Sequence, residues 1–270
     1  MSRSGYYGWL ATATGAKRPA RRVARHAAVL EQIRIVHRRY RYYGSPRVHR
    51  ELLAMGFEVG RHQVARVMAR NGIVARRGKI KARPRAAPPV RRPEITDLVR
   101  RDFRADVPGE LWFTDITQIR TDEGWLFAAV IMDAFNREIV SYAVNGYETP
   151  KTAITALREA IRVQKPPRGC IIHSDRGYQF TSQDWLHLAA TAGLKVSIGE
   201  RKSCYDNAAM ESWFSSYKSE ELYPGGQPAT RTEARSRLFN YVWNYNNHRQ
   251  HTALGYLAPV YYAAEASICP

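Results

Sequence analysis

Cysteine is scarce in this chain of 270 residues: Cys170, Cys204 and Cys269 stand apart, with no Cys-x-x-Cys pair among them. That spacing excludes a disulfide framework and a thiolate zinc finger, and reduced thiols are expected. Long apolar runs are missing too. No stretch of 18 apolar residues occurs, so neither a transmembrane span nor a membrane partner is expected. The N-terminus lacks the continuous apolar core of a signal peptide, which makes a cytoplasmic location the expectation. Acids are nearly absent from the first third. Residues 1–93 hold 3 Asp/Glu against 23 Lys/Arg, a balance of +20, while the remaining 177 residues hold 21 against 19, or −2. The net charge of +18 therefore comes from the front of the chain. A basic segment joined to a near-neutral body points to a polyanion partner, nucleic acid first.

What is present divides the chain in three. Residues 1–74 read as a helical region. Within it, residues 24–41 form a basic amphipathic helix with Leu30, Ile33, Val36 and Tyr40 on one face. Gly44 and Pro46 interrupt the pattern, a short helix follows at 47–55, and a glycine-containing turn leads to a second helix beginning at Arg61. Its Val64, Val67 and Met68 are core-spaced, and Gly72 stops it. Two short helices joined by a tight turn fit a helix-turn-helix. Arg61, His62, Gln63, Arg66 and Arg70 then fall on or near the exposed face of the second helix, as candidate DNA contacts. A helical module that touches only protein is the alternative. Residues 75–93 contain eight basic residues, four prolines and no acid, and read as an extended basic linker.

Residues 94–270 read as an α/β domain. A helical piece is expected around 94–103. Residues 111–120 then alternate as a half-buried strand, with Trp112, Thr114, Ile116 and Gln118 on one side and Phe113, Asp115, Thr117 and Ile119 on the other. An almost continuous apolar strand (124–135) and a third strand (137–146) follow after short connections, an antiparallel meander. Helix, strand, helix, short strand and helix complete a mixed five-stranded sheet with flanking helices.

Three acids of this body are placed to meet. Asp115 lies in the first strand, Asp175 just past the fourth, and Glu211 one turn into a helix starting near Asp206. Neighbouring first and fourth strands would bring Asp115 and Asp175 together beside the helix carrying Glu211. Three converging carboxylates repel unless cations neutralise them, and hard oxygen donors suit Mg²⁺ or Mn²⁺ rather than zinc. Two such ions per site could clamp the attacking and leaving oxygens of a phosphoryl transfer. Each acid alone has an ordinary explanation as a strand residue, a turn former or an exposed helix position. Their conjunction behind a basic domain argues for the site.

Three segments carry a resemblance. Trp112 to Asp115, then His173-Ser174-Asp175-Arg176-Gly177-Tyr178-Gln179-Phe180, and Asp206-Asn207 through Glu211-Ser212-Trp213-Phe214 with Lys218 resemble the signatures of the retroviral-integrase superfamily. The closest likeness is to second-frame transposases of bacterial insertion sequences, and 35 residues separate Asp175 from Glu211, the superfamily's interval. The resemblance implies a ribonuclease-H-like fold and a DDE mechanism with Asp115, Asp175 and Glu211 as catalytic metal ligands. It implies cleavage and strand transfer at the terminal inverted repeats of the chain's own element, into target DNA, by a homo-oligomer of at least two copies. An upstream-frame partner or fusion, and association with the nucleoid when DNA-bound, belong to the same expectation. Lys218 is expected at a DNA phosphate, and Asn207 is expected to orient the Glu211 carboxylate. Asp206 and Asn207 are both candidate caps of that helix, Asp133 reads as structural with a fourth metal ligand as the alternative, and His173 is either packed or a support to Asp175. The tail from Arg231 to Pro259 is expected to be an amphipathic helix whose basic-aromatic end touches DNA or covers the sheet. Two rival readings stay open: a DNA-binding regulator with an inactive catalytic domain, and a metal-dependent nuclease of the same fold.

Overall fold

The computed structural model describes residues 3, 6, 7, 20–76, 95–100, 102–199 and 207–268. It divides into two compact units, Met1–Arg76 and Arg77–Pro270. Most of the basic proline-rich segment, from residue 77 to 93, lies outside the described residues.

In the first unit three helices, α1 (Ala20–Arg39), α2 (Ser45–Ala54) and α3 (Arg61–Arg70), close around one core. Helical spacing sets the inward stripe of α1, which is Val29, Ile33, Val36 and Tyr40; Leu30 sits at its edge rather than in it. Tyr43 stacks on Tyr40 with ring centroids 4.7 Å apart, so the chain turns sharply after α1. Pro46 in the first turn of α2 needs no N–H partner there. Gly56, at φ 81°, reverses the chain after α2 in a conformation costly for other residues. Val48 and Leu52 of α2 pack on Val64, Val67 and Met68 of α3.

The second unit is built on five strands: β1 (Leu111–Thr121), β2 (Gly124–Asp133), β3 (Ile139–Asn145), β4 (Ile171–Ser174) and β5 (Lys195–Ile198). Their order is β3-β2-β1-β4-β5; the first three are antiparallel, while β4 runs parallel to both β1 and β5. Alternation along β1 sorts the two layers. Trp112 joins Ala153, Ala156, Leu157 and Ala160 of α4 (Pro150–Gln164) and Trp185 of α5 (Gln183–Thr191). Phe113 and Ile119 face the other way, into α6 (Ala208–Tyr217) and α7 (Arg231–Asn247). Small alanines let α4 lie close to the sheet. A final helix, α8 (Pro259–Ile268), follows a turn at Thr252–Leu254. Among the described residues no helix is long and apolar enough to cross a membrane.

Two expectations change. Described residues between 95 and 103 form bends, not a helix. Asp97 Oδ1 accepts from the amides of Val99 (2.9 Å) and Arg100 (3.1 Å), and the Leu98 amide donates to Ser197 Oγ of β5 at 2.9 Å. A side chain that captures local amides competes with the helix for them. The tail helix also ends at Asn247, well short of Pro259, although its inward residues Leu238, Tyr241, Val242 and Tyr245 are those expected.

Candidate functional site

Asp115 sits in the middle of β1, on the side facing the α6–α7 layer, and is 9% exposed. The parallel register pairs Phe113 with His173; continued two residues, it aligns Asp115 with Asp175, one residue past the end of β4. Glu211 occupies the first turn of α6, and its amide bonds to the Asn207 carbonyl at 3.0 Å. Asn207 ties that turn to the strand: its Nδ2 donates to the carbonyl of Thr114, next to Asp115, at 3.2 Å. Four aromatic or thioether side chains, Met210, Trp213, Phe214 and Tyr217, are buried beneath α6 and fix its roll on the sheet.

The backbone thus aligns the Asp115 and Asp175 positions and ties the turn bearing Glu211 to the strand beside Asp115, while the side chains are not gathered into a cage. Among the described residues, no three His, Cys, Asp or Glu side chains form a group that could hold a metal ion. Two of the carboxylates turn an oxygen onto a backbone amide just downstream: Asp115 Oδ1 accepts from the Ile116 amide at 2.7 Å, and Asp175 Oδ1 from the Gly177 amide at 2.9 Å. Asp175 and Glu211 are exposed. Flanking polar atoms Thr114 Oγ1, Ser174 Oγ and Asn207 Oδ1 are buried without a hydrogen-bond partner among the described residues. Buried polar atoms without partners are costly and rare, and these three sit next to or one turn from the acids. The donor set is all carboxylate oxygen, which fits a hard divalent cation.

The remaining expected residues sort clearly. Asn207 stands at the N-cap of α6, but its side chain makes no cap bond and serves the Thr114 tie. Asp206 lies outside the described residues. Asp133 is structural: its carboxylate accepts from the Gly109 amide (2.7 Å), Trp112 Nε1 (3.2 Å) and the Phe135 amide (2.9 Å). Burial pushes the Asp133 carboxyl above its ordinary pKa, with those three bonds opposing the shift. His173 is fully buried, with Nδ1 2.9 Å from Ser197 Oγ and rings of Phe103 and Phe113 around it. Lys218 opens a π turn, Lys218–Leu222, that prolongs α6. In the first unit Arg61, His62, Arg66 and Arg70 are exposed and Gln63 is half-buried.

Sequence reading missed a buried ion pair behind that π turn. Arg249 Nη2 and Nε reach Glu220 Oε1 and Oε2 at 2.7 and 2.9 Å, and Tyr241 donates to the same carboxylate at 3.1 Å. Burial alone would lower the Arg249 pKa, but its bonds to Glu220, with help from Tyr241 and Tyr245, outweigh burial and hold the guanidinium charged. Arg249 is therefore not part of a DNA-facing tail. The sole local signal was an arginine amid the aromatic residues of 241–251.

Comparison with known proteins follows this layout. An HTH-like domain model matches residues 24–81, and two integrase core domain models match 105–204 and 192–259. The chain is 35% identical over 261 residues to the insertion element IS600 uncharacterized 31 kDa protein of Shigella sonnei, covering 96% of this chain and 93% of that one. It is 34% identical over 260 residues to the transposase InsF for insertion sequence IS3A of Escherichia coli (strain K12), with 96% and 89% covered. In solved structures it resembles the simian T-cell lymphotropic virus intasome in complex with PP2A regulatory subunit B56 gamma. There the TM-score is 0.52 at 16% identity over 84% of this chain and 73% of that one, a likeness of fold. With both domain types present and this identity sustained over nearly the full length of its relatives, the chain belongs to the insertion-element transposase family with an integrase core.

Proposed function

We propose that this transposase cleaves and joins DNA at the ends of its own insertion element by a DDE mechanism in which Asp115, Asp175 and Glu211 hold the divalent metal, Mg²⁺ or Mn²⁺. The observation that carries the reading is the Asn207–Thr114 bond, because it pins the turn bearing Glu211 to the strand residue beside Asp115. Parallel pairing of β1 and β4 supports it by aligning Asp175 with Asp115.

A bound divalent cation supplies positive charge against the phosphoryl oxygens of the scissile bond. The chain's own residues bind and orient the rest. In the first step a water oxygen bonds to phosphorus as the bond to the 3′ oxygen breaks, leaving a 3′-hydroxyl on the element end. In the second, that hydroxyl bonds to the phosphorus of a target phosphodiester, whose own 3′ oxygen departs. Both are in-line exchanges at phosphorus and need no covalent link to protein. Lys218, in the π turn that prolongs α6, offers an ammonium to a DNA phosphate, and the basic face of α3 (Arg61, His62, Gln63, Arg66, Arg70) holds the duplex. Joining two ends implies at least two copies of the chain.

The test uses purified full-length chain, a labelled duplex ending in the element's inverted repeat, and Mg²⁺. Wild type is expected to cleave and join. Asp115→Asn, Asp175→Asn and Glu211→Gln should bind the duplex but lose both reactions by about a thousandfold, as expected when several kcal/mol of charge stabilisation is removed. Full activity in any of these variants, or a wild type that binds without chemistry, refutes the assignment. Cleavage without a joined product would make the protein a nuclease instead.

A further inference from the structure

Asp175 stands beyond the last residue of β4, on exposed backbone, where the sheet no longer restrains it. A metal ligand needs its carboxylate held within a fraction of an ångström, so something else must brace this loop. Two tethers are present. On the β5 side, Arg176 Nε donates to the Gly199 carbonyl at 3.0 Å, and the Gly199 amide donates to the Ser174 carbonyl at 3.1 Å. On the α4 side, Glu148 grips the loop twice: Gln179 Nε2 donates to its Oε1 and the Tyr178 hydroxyl to its backbone carbonyl, both at 2.8 Å.

The second tether reaches Asp175 through Gly177. Gln179 is only 6% exposed. A Cβ placed on Gly177 would meet Gln179 Oε1 at 2.8 Å and Asp175 Oδ1 at 2.9 Å, so glycine is the one residue that lets amide and carboxylate close on the same spot. The Gly177 amide then donates to Asp175 Oδ1. Resting on the metal reading above, we infer that Glu148 is a positioning residue for Asp175. Its carboxylate fixes Gln179, Gln179 packs on Gly177, and the Gly177 amide holds one Asp175 oxygen so that the other is presented to the cation. Glu148 acts here as a hydrogen-bond acceptor and not as a further ligand, and that distinction is testable, because glutamine keeps the acceptor and loses the charge.

Mn²⁺ binding to the full-length chain is titrated by calorimetry for wild type, Glu148→Ala and Glu148→Gln, with Asp175→Asn as the ligand-loss control. Glu148→Ala should weaken Mn²⁺ binding by about tenfold or more, the usual consequence of removing a residue that orients a ligand. Glu148→Gln should bind close to wild type. Wild-type affinity in Glu148→Ala overturns the inference, and so does a Glu148→Gln variant as weak as Glu148→Ala, since charge would then be what matters. A wild type that binds no Mn²⁺ refutes the metal reading itself, a different pattern from either of those. Hydrogen exchange then judges the tether without metal. Peptides covering 175–180 should exchange faster in Glu148→Ala than in wild type or Glu148→Gln, and equal rates in all three would refute it.

Discussion

Replacing Arg249 by methionine should unfold the second unit at markedly lower temperature, and the cost follows from what the substitution leaves behind. Glu220 is 8% exposed and Arg249 5%, and two charge-assisted bonds of 2.7 and 2.9 Å join them. Methionine fills much of the arginine's volume, so packing loss is small. What remains is a carboxylate in the core to which the Tyr241 hydroxyl still donates. Breaking a buried pair by removing one member typically costs about 3–5 kcal/mol. For a unit of this size each kcal/mol shifts the midpoint by roughly 2–4 °C, so the expected drop is roughly 6–20 °C. The double variant Glu220→Leu/Arg249→Met removes both charges and should recover most of that loss, because a desolvated pair is often no more stable than an apolar replacement.

Tryptophan fluorescence suits the assay: five of the six tryptophans (Trp112, Trp125, Trp185, Trp213 and Trp243) lie in the second unit. Trp213 has its ring centroid 5.8 Å from that of Tyr241 and 5.9 Å from that of Tyr245, beside the pair. A thermal midpoint within about 2 °C of wild type for Arg249→Met, less than the smallest shift expected for 1 kcal/mol, would refute the reasoning. So would a double variant less stable than the single one. The consequence for function is specific. Glu220 lies in the π turn that continues α6, and Ser216 of α6 also bonds to Arg249 Nη2 at 3.3 Å. Loss of the pair should therefore loosen the helix that carries Glu211 at one end and leads into Lys218 at the other. π turns inside α-helices often mark such functional segments.

Two further outcomes test the remaining links. Asn207→Ala removes the bond to Thr114 and leaves the carboxylates in place, so strand transfer on the element-end duplex should fall about 10- to 100-fold, the usual range for losing a ligand-orienting contact, while DNA affinity stays unchanged. Unaltered transfer would show that α6 is positioned by its aromatic face alone. Arg61→Ala, Arg66→Ala and Arg70→Ala should each lower DNA affinity and reduce the slope of log affinity against log salt by about one per lost phosphate contact, measured by fluorescence anisotropy. Identical slopes would remove α3 from the DNA interface.

The alternation of β1, the apolar run of β2 and the stripe of α6 were legible in the sequence because each is written in consecutive residues with a period of 2 or 3.6. The elements that carry the three acids were legible for a related reason: each acid is embedded in a short local signature, Trp112 to Asp115, His173 to Phe180, Asp206 to Phe214, and Asp115 stands in β1, Asp175 one residue past β4 and Glu211 in the first turn of α6. Where reading failed, the deciding partner was distant or a side chain intervened. Residues 95–103 carry a helical pattern, but Asp97 captures two amides and Ser197 a third from 99 positions away. Asn207 looked like a cap because Asn before an apolar stripe usually is one, and its actual acceptor lies 93 residues earlier.

The same asymmetry explains why the supports of the site were harder to see than its acids. Glu220 and Arg249 are 29 residues apart, Glu148 and Gln179 31, and nothing in the local pattern of either pair marks it. Yet each member is attached to an element the sequence does specify: Glu220 to α6, Arg249 to the end of α7, Glu148 to the start of α4, Gln179 to the loop after β4. Once β1 and β4 pair in parallel and α6 lies on the β1 face, those ends are brought near one another by the fold. The bracing contacts are consequences of topology, so they emerge only when strand order is known. The carboxylates come first in the sequence argument and last in the structural one, since their geometry is only as firm as Asn207, Glu148 and the Glu220–Arg249 pair make it.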